Sequence, residues 1–258
     1  MPATLAAISE HLDQLLGTRD TPDYPNAVNG VQVASRGPIT KVAAAVDASE
    51  RAISAAIAEH ANLLLVHHGL WWAGLQPIAG SLYNRLAPLF AHDVAVYSAH
   101  LPLDRHPSLG NNVLLARALG LDPEGTFARF ESIMVGVRGK TDIPTAAVLE
   151  RAKAFARTHG GNAIASAFDP ERRTRHWAMC TGGGASAETL DEAVDLGVDT
   201  LIVGEGPHWT AVDAPERGLV IVYAGHYATE TLGVTALAEH VSQQFGIPWT
   251  FIAAPTGL

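Results

Sequence analysis

Short apolar runs alternate with longer amphipathic segments along most of the chain. Runs such as KVAAAV (41–46) and NLLLV (62–66) predict buried strands, and apolar residues spaced three and four apart predict helices. The other predicted strands are 94–99, 132–139, 176–180, 200–203, 218–224 and PWTFIA (248–253). The predicted helices are the N-terminal segment, 49–60, 81–93, 110–120, 144–160, 186–197 and 229–245. This alternation predicts an α/β fold with parallel or mixed sheets covered by helices, with α+β character as the alternative.

Three local signals refine this prediction. Ser49 precedes an apolar-periodic segment and is predicted to cap its helix. Pro88 lies inside the predicted helix 81–93, where a proline removes a backbone hydrogen bond, so we expect an interruption there. Pro102 predicts a loop rather than a helix for the segment that follows His100.

The second half of the chain repeats the first. DASERAISAAIAEHANLLLVHHG (47–69) aligns without gaps on GASAETLDEAVDLGVDTLIVGEG (184–206), and VAVYSAHLPLD (94–104) aligns on VIVYAGHYATE (220–230). The matched pairs are Ser49 and Ser186, Tyr97 and Tyr223, His100 and His226, and Asp104 and Glu230. We infer a duplication with two intertwined lobes, 1–127 and 128–258, within one domain of about 5–258; chance similarity of two strand–helix units is the alternative.

Composition and charge narrow the class of protein. The chain has 258 residues, 48% hydrophobic and 17% charged, and no apolar run approaches the ~18 residues of a membrane span. The N-terminal segment lacks the features of a signal peptide, so we predict a cytoplasmic protein. One cysteine, Cys180, excludes an internal disulfide framework and a cysteine-based zinc cluster. A net charge of −9 disfavours nucleic acid or an acidic membrane as partner.

Imidazoles and carboxylates cluster where predicted strands end. His67 and His68 follow one strand, His100 and Asp104 follow the next, and His226 and Glu230 follow the matching strand of the second half. Functional groups of α/β sheets collect at the carboxyl ends of strands, so these side chains are expected to lie together. YATE can open a helix, which would place Glu230 one turn after His226 on the same face.

This set of side chains suits transition metals. Imidazole and carboxylate ligands fit Zn, Mn, Fe, Co or Ni, and a carboxylate can bridge two ions about 3.5–4 Å apart. The donors therefore favour a dinuclear centre over one closed tetrahedral site, with the metal identity left open. The alternative is that the adjacent histidines are hydrogen-bonded core residues.

Six segments carry a specific resemblance. AVNGVQV (27–33), VHHGLWW, SAHLPLDRHPSLGNN, CTGGGAS, VGEGPHW and YAGHYATE occur in this order, and together they resemble the NIF-three-like family of dinuclear-metal proteins. Its members are often named GTP cyclohydrolase I type 2 homologues. The resemblance implies a duplicated α/β fold and a toroidal homohexamer, a trimer of dimers, with two divalent ions per chain. It also implies that His68 and Asp104 hold one ion, that His67 and His226 hold the other, and that Glu230 bridges both.

Several further residues have open roles. His100, Glu205 and His208 are candidates either for orienting the metal ligands or for acid/base catalysis. The turn CTGGGAS (180–186) could cradle a phosphate or could simply need glycine geometry. Trp71 and Trp72 could line a pocket or pack at a subunit interface.

The sequence supports two main classes of function and a third, weaker one. The first is a metal-dependent hydrolase in which a metal-bridging hydroxide attacks a C–N, amide or phosphoester bond of a nucleotide-like small molecule. The second is a non-enzymatic metal chaperone or insertase with the same ligands. The third is a hexameric scaffold in which the metal is structural.

Overall fold

The computed structural model describes residues 3–258, which form ten helices and eleven strands. The helices are α1 (Leu5–Leu16), α2 (Glu50–Ala58), α3 (Gly80–Ala91), α4 (Leu101–Asp104), α5 (Asn111–Ala118), α6 (Thr145–Thr158), α7 (Ala187–Asp195), α8 (His208–Glu216), α9 (His226–Thr229) and α10 (Thr231–Phe245). The strands are β1 (Gly30–Val33), β2 (Val42–Asp47), β3 (Leu63–His68), β4 (Ala95–Ser98), β5 (Gly125–Phe130), β6 (Ile133–Pro144), β7 (Ile164–Ala165), β8 (Arg173–Cys180), β9 (Thr200–Val203), β10 (Val220–Tyr223) and β11 (Trp249–Phe251).

The chain divides into two compact units. The first unit consists of the residues up to Leu103 together with Gly233–Ala254, and the second consists of Asp104–Leu232 and Pro255–Leu258. These units are defined by packing within the chain. The lobes 1–127 and 128–258, which were inferred from the repeated segments, stay a prediction.

The first unit contains a mixed sheet whose strands lie in the order β1-β4-β3-β2-β11 among the described residues. The strands β11, β2, β3 and β4 run parallel, and β1 is antiparallel to β4. Leu64 and Val66 of β3 face a core that also contains apolar residues of α2 and α3. Successive residues of β3 are buried on both faces of the sheet, which explains its continuous apolar run.

The second unit contains a sheet with the order β5-β6-β8-β9-β10-β7. The strands β8, β9 and β10 are parallel, and the flanking strands pair antiparallel. Side chains alternate between two cores: Ile202 faces one with α5 and α6, while Leu201 and Val203 face the other with α7. Helices therefore cover both faces of this sheet, as the α/β prediction requires.

The two units contain the same succession of strands and helices, as the predicted duplication requires. The first unit contains the order β2–α2–β3–α3–β4, and the second contains β8–α7–β9–α8–β10, with neighbouring parallel strands in both. Ser49 caps α2 by accepting a hydrogen bond from the Ala52 backbone, and Ser186 caps α7 in a capping box. The predicted fold class, with duplicated strand–helix–strand units and mixed sheets, is confirmed.

Three local predictions are corrected. Pro88 lies inside the helix α3, which continues to Ala91 although the proline has no N–H to donate, so the predicted interruption is wrong. Pro102 is the second residue of the one-turn helix α4, where a proline loses no intrahelical hydrogen bond, so the predicted loop is wrong. The strand β3 extends through His67 and His68 instead of ending at residue 66.

No helix within residues 3–258 combines the length and apolar character needed to cross a bilayer.

Leu64 tests the assignment of the first core. Leu64→Ala leaves a cavity beneath α2 and α3, so we expect the free energy of unfolding to fall by about 2–5 kcal/mol in urea denaturation. Phe90→Ala is the control, because Phe90 on α3 is 64% exposed and its loss should change stability by less than about 0.5 kcal/mol. Equal losses for the two variants would contradict this core.

Candidate metal centre

Three imidazoles meet at the carboxyl end of the sheet in the first unit. His67 and His68 end β3, and His100 follows β4, the next parallel strand. Each of the three offers one ring nitrogen, and these atoms all lie within 4.8 Å of one another. His67 is fully buried, whereas His68 keeps part of its side chain exposed. The sequence predicted this meeting at strand ends, and the structure places His100 within the group.

Each of these rings is held through its Nδ1 atom. His67 Nδ1 lies 2.8 Å from the Ala99 carbonyl oxygen, and His68 Nδ1 lies 2.9 Å from Asp47 Oδ1. Carbonyl and carboxylate oxygens only accept hydrogen bonds, so Nδ1 must carry the proton and the lone pair of the neutral ring lies on Nε2. Such oxygen partners are the usual support of metal-binding histidines.

His100 has the most elaborate support. Its Nδ1 donates to Asp23 Oδ1 at 2.8 Å, and its backbone N–H donates to Asn29 Oδ1 at 2.8 Å. The second oxygen of Asp23 accepts from Asn29 and from the Leu101 backbone. Burial alone would raise the pKa of Asp23, but the hydrogen bond and attraction of His100, with further hydrogen bonds from Asn29 and the Tyr24 backbone, leave the pKa below its ordinary value. The buried carboxylate is therefore ionised and fixes the orientation of His100.

Trp72 packs against the same imidazoles. Its ring lies edge-on to His100, with centroids 4.9 Å apart, and edge-on to His68 at 5.8 Å. Tyr24 lies beside both Trp72 and His100. Trp71 instead packs against the core of the first unit. Of the two tryptophans, Trp72 is therefore the one that contacts the histidine group.

The second unit contributes an imidazole–carboxylate pair. His226 begins α9 and Glu230 follows its last residue, so the predicted spacing of one helical turn is confirmed. His226 Nε2 lies 3.2 Å from Glu230 Oε2, and His226 Nδ1 lies 2.8 Å from Glu205 Oε1. Glu205 thus contacts the ring nitrogen that faces away from Glu230, which is a positioning contact.

The electrostatics of this pair are strong. Burial lowers the pKa of His226, but the hydrogen bonds and charges of Glu230 and Glu205 outweigh it and raise the pKa to about 9. Glu230 is only 2% exposed. A buried carboxylate needs a positive partner, and His226 supplies one at neutral pH.

The glycine-rich turn is shaped by Glu230. A Cβ at Gly182 would lie 2.1 Å from Glu230 Oε1, and Gly182 has a φ of +62°. A Cβ at Gly184 would lie 2.1 Å from the Cys180 carbonyl oxygen, whereas one at Gly183 would meet nothing within 4 Å. The first turn of the following helix already holds Glu188, which disfavours a second anion there. These contacts support glycine geometry over a phosphate cradle.

The remaining predicted residues lie as follows. Asp104 ends α4, is 5% exposed and accepts a hydrogen bond from Asn111 Nδ2 at 2.8 Å. His208 is exposed at the first residue of α8. Sequence reasoning missed Asp47 and Asp23. Asp47 ends β2 and pairs in register with His68, so the rule that singled out His68 could have found it. Asp23 lies in a loop and carried no comparable signal.

The fold and these side chains define a class: an α/β protein with imidazole and carboxylate groups that could hold a metal ion. The profile of the family described as Duf34/NIF3 (NGG1p interacting factor 3) matches residues 3–256. This chain therefore belongs to the Duf34/NIF3 family, which confirms the resemblance seen in the motifs.

Individual relatives agree with this assignment. A Halobacterium salinarum protein named GTP cyclohydrolase 1 type 2 homolog is 40% identical over 242 residues, covering 92% of this chain and 93% of that protein. A Deinococcus radiodurans protein of the same name is 37% identical over 242 residues, covering 91% and 88%. The crystal structure of TTHA1606 from Thermus thermophilus superposes with a TM-score of 0.84 at 35% identity and covers 100% of both chains.

Gly182 tests the packing around Glu230. Gly182→Ala forces a Cβ against the carboxylate and strains a positive φ, so we expect the free energy of unfolding to fall by about 1–3 kcal/mol. Gly183→Ala is the matched control on the same turn and should be nearly neutral. Chemical denaturation of the metal-free proteins compares them, and a neutral Gly182→Ala would disprove the close contact.

His226 tests the charge balance of the metal-free protein. Its imidazole should titrate near pH 9 by NMR, and Glu205→Gln should lower that pKa, while the exposed Glu216→Gln should leave it unchanged. A raised folded-state pKa stabilises the fold fully below the ordinary value of 6.5, and this contribution is lost as the pH rises through about 9. Titration of His226 at or below 6.5 would contradict the assigned contacts.

Proposed function

We propose that this protein binds two divalent metal ions and uses them to hydrolyse a nucleotide-like substrate at a C–N or phosphoester bond. One observation carries the proposal: four histidines (His67, His68, His100 and His226) each have Nδ1 bonded to an oxygen acceptor. This arrangement leaves Nε2 of each ring as the nitrogen for a ligand, and in His226 that atom faces Glu230 Oε2 at 3.2 Å, where an ion would take the place of the proton.

The chemistry of the donors fits such ions. Neutral imidazoles and buried carboxylates are ligands of Zn, Mn, Fe, Co and Ni, and the turn at Gly182 leaves just enough room for the Glu230 carboxylate. In this proposal His68 and Asp104 would hold one ion, His67 and His226 would hold the other, and Glu230 would serve both, as the family resemblance implies. The ring-shaped homohexamer and the cytoplasmic location stay predictions.

Bound divalent ions would supply an activated water nucleophile near neutral pH and stabilise negative charge on the substrate. The chain's own residues would orient and move protons. Asp23 keeps the proton of His100 on Nδ1, so His100 Nε2 is the atom that accepts a proton from a reacting group. Glu205 positions His226, and the exposed His208 is available to an incoming substrate. The name of the relatives makes GTP the first substrate to test.

Elemental analysis of protein purified without chelator tests the proposal. We expect about two equivalents of a transition metal per chain, because the donors suit a dinuclear centre. Glu230→Gln should lose both ions, since Glu230 is assigned to both, and His68→Ala should preferentially lose one. His92→Ala, which changes an exposed histidine after α3, is the control and should keep both.

The outcomes separate the classes of function. Saturable hydrolysis of GTP or a phosphoester by the metal-loaded protein, lost in Glu230→Gln, supports the hydrolase. Metal that exchanges readily without turnover favours a chaperone or insertase. If the purified chain contains no metal and regains none from added divalent ions, both metal-based functions are wrong.

A further inference from the structure

Two adjacent asparagines begin α5 and are completely enclosed in the second unit. Asn111 is 0% exposed and Asn112 is 1% exposed. Buried amides are costly unless their hydrogen bonds are made, so a buried pair of this kind needs partners. The partners of these two side chains differ, and the difference determines what each can control.

Asn111 acts on one carboxylate. Its Nδ2 donates to Asp104 Oδ1 at 2.8 Å, and both side chains are buried. A hydrogen bond to a charged carboxylate is among the stronger protein hydrogen bonds. It fixes the rotation of the Asp104 carboxylate and so determines which oxygen a bound ion would meet.

Asn112 links three segments of backbone. Its Nδ2 donates to the Val135 carbonyl at 3.1 Å and, more weakly, to the Asp104 carbonyl at 3.5 Å. Its Oδ1 accepts from the Thr181 backbone N–H at 2.8 Å. One amide therefore joins the segment that carries Asp104 to the turn that begins at Thr181.

The turn that begins at Thr181 also positions the two other candidate metal ligands of the second unit, His226 and Glu230. The N–H of Gly182 donates to Thr229 Oγ1 at 3.1 Å, and Thr229 Oγ1 donates to the His226 carbonyl at 2.9 Å. The Gly182 carbonyl accepts from the Glu205 N–H at 2.8 Å, and the Glu205 carboxylate orients His226. The close approach of Gly182 also limits where the Glu230 carboxylate can lie.

We propose that Asn111 and Asn112 are positioning residues with different reach. Asn111 orients the Asp104 carboxylate, whereas Asn112 ties the Asp104 segment to the turn that positions His226 and Glu230. This inference rests on the proposed function, because it concerns the same metal donors. Loss of Asn111 should therefore weaken one ion, and loss of Asn112 should weaken both.

Titration of the metal-free full-length protein with Co²⁺ alone tests this difference. Isothermal calorimetry gives the affinity of each equivalent, and the visible absorption of Co²⁺ reports its coordination. In Asn111→Ala we expect one of two equivalents to weaken about 10–100-fold with an altered spectrum, and in Asn112→Ala both equivalents to weaken. Asn162→Ala, at an exposed asparagine of the second unit, is the control.

A second pair of variants covers the case in which Asn112→Ala does not fold. Thr229→Val removes the hydroxyl that accepts from Gly182 while keeping a similar shape, and Thr229→Ser keeps that hydroxyl. Weakened uptake of Co²⁺ in Thr229→Val, with near-normal uptake in Thr229→Ser, supports the same network. Thermal melting in the presence of chelator measures stability separately from metal binding.

The contrary outcomes are distinct. Normal affinity for both equivalents in folded Asn111→Ala and Thr229→Val would reduce these residues to structural ones and overturn the inference. Loss of both equivalents in Asn111→Ala would overturn the difference in reach. A wild-type chain that takes up no Co²⁺ would instead overturn the proposed function, and this inference with it.

Discussion

The bond made by Nδ1 of each histidine is the interaction on which the candidate centre depends. A neutral imidazole has one proton and one lone pair, so an oxygen acceptor at Nδ1 determines that Nε2 offers the lone pair. The acceptors come from separate places along the chain: the carbonyl after β4, the last residue of β2, a loop before β1 and the residue after Gly204. Pairing between neighbouring parallel strands brings the first two of these places beside His67 and His68. The register of β2 and β3, which sets Asp47 opposite His68, is therefore as much a part of the site as the histidines themselves.

Buried negative charge is the second constraint. Glu230 lies against a glycine-rich turn that excludes solvent, and an ionised carboxylate in such a place requires a positive neighbour. In the metal-free chain that neighbour is the protonated His226, whose pKa is raised by the two glutamates around it. A cation and this proton therefore meet the same electrostatic requirement. The site is preorganised for positive charge, and a bound metal ion would replace one positive partner with another.

Much of the fold could be predicted because its signals are local. Apolar runs located the main parallel strands, and Ser49 and Ser186 marked helix starts through short-range capping bonds. The effect of a proline depends on its context: Pro102 lies in a first turn, where its missing N–H costs nothing, and Pro88 removes one hydrogen bond of α3 without ending the helix. The supporting groups were harder to find. Asp23 and Asn112 act through partners 77 and 69 residues away, and no spacing rule along the chain reveals such pairs.

The strand β11 determines when the first sheet can be completed relative to the second. It forms the edge of the first sheet by pairing in parallel with β2, so the outer side of Val42 can pair only after Trp249 has been made. Closing that pair spans about 200 residues, whereas the second sheet is built entirely from strands between Gly125 and Tyr223. During synthesis the outer edge of β2 stays unpaired until β11 has been made. An open strand edge can pair with another chain, and β11 replaces the longer open edge of β2 with an edge of only three residues, which is a poorer template for such pairing.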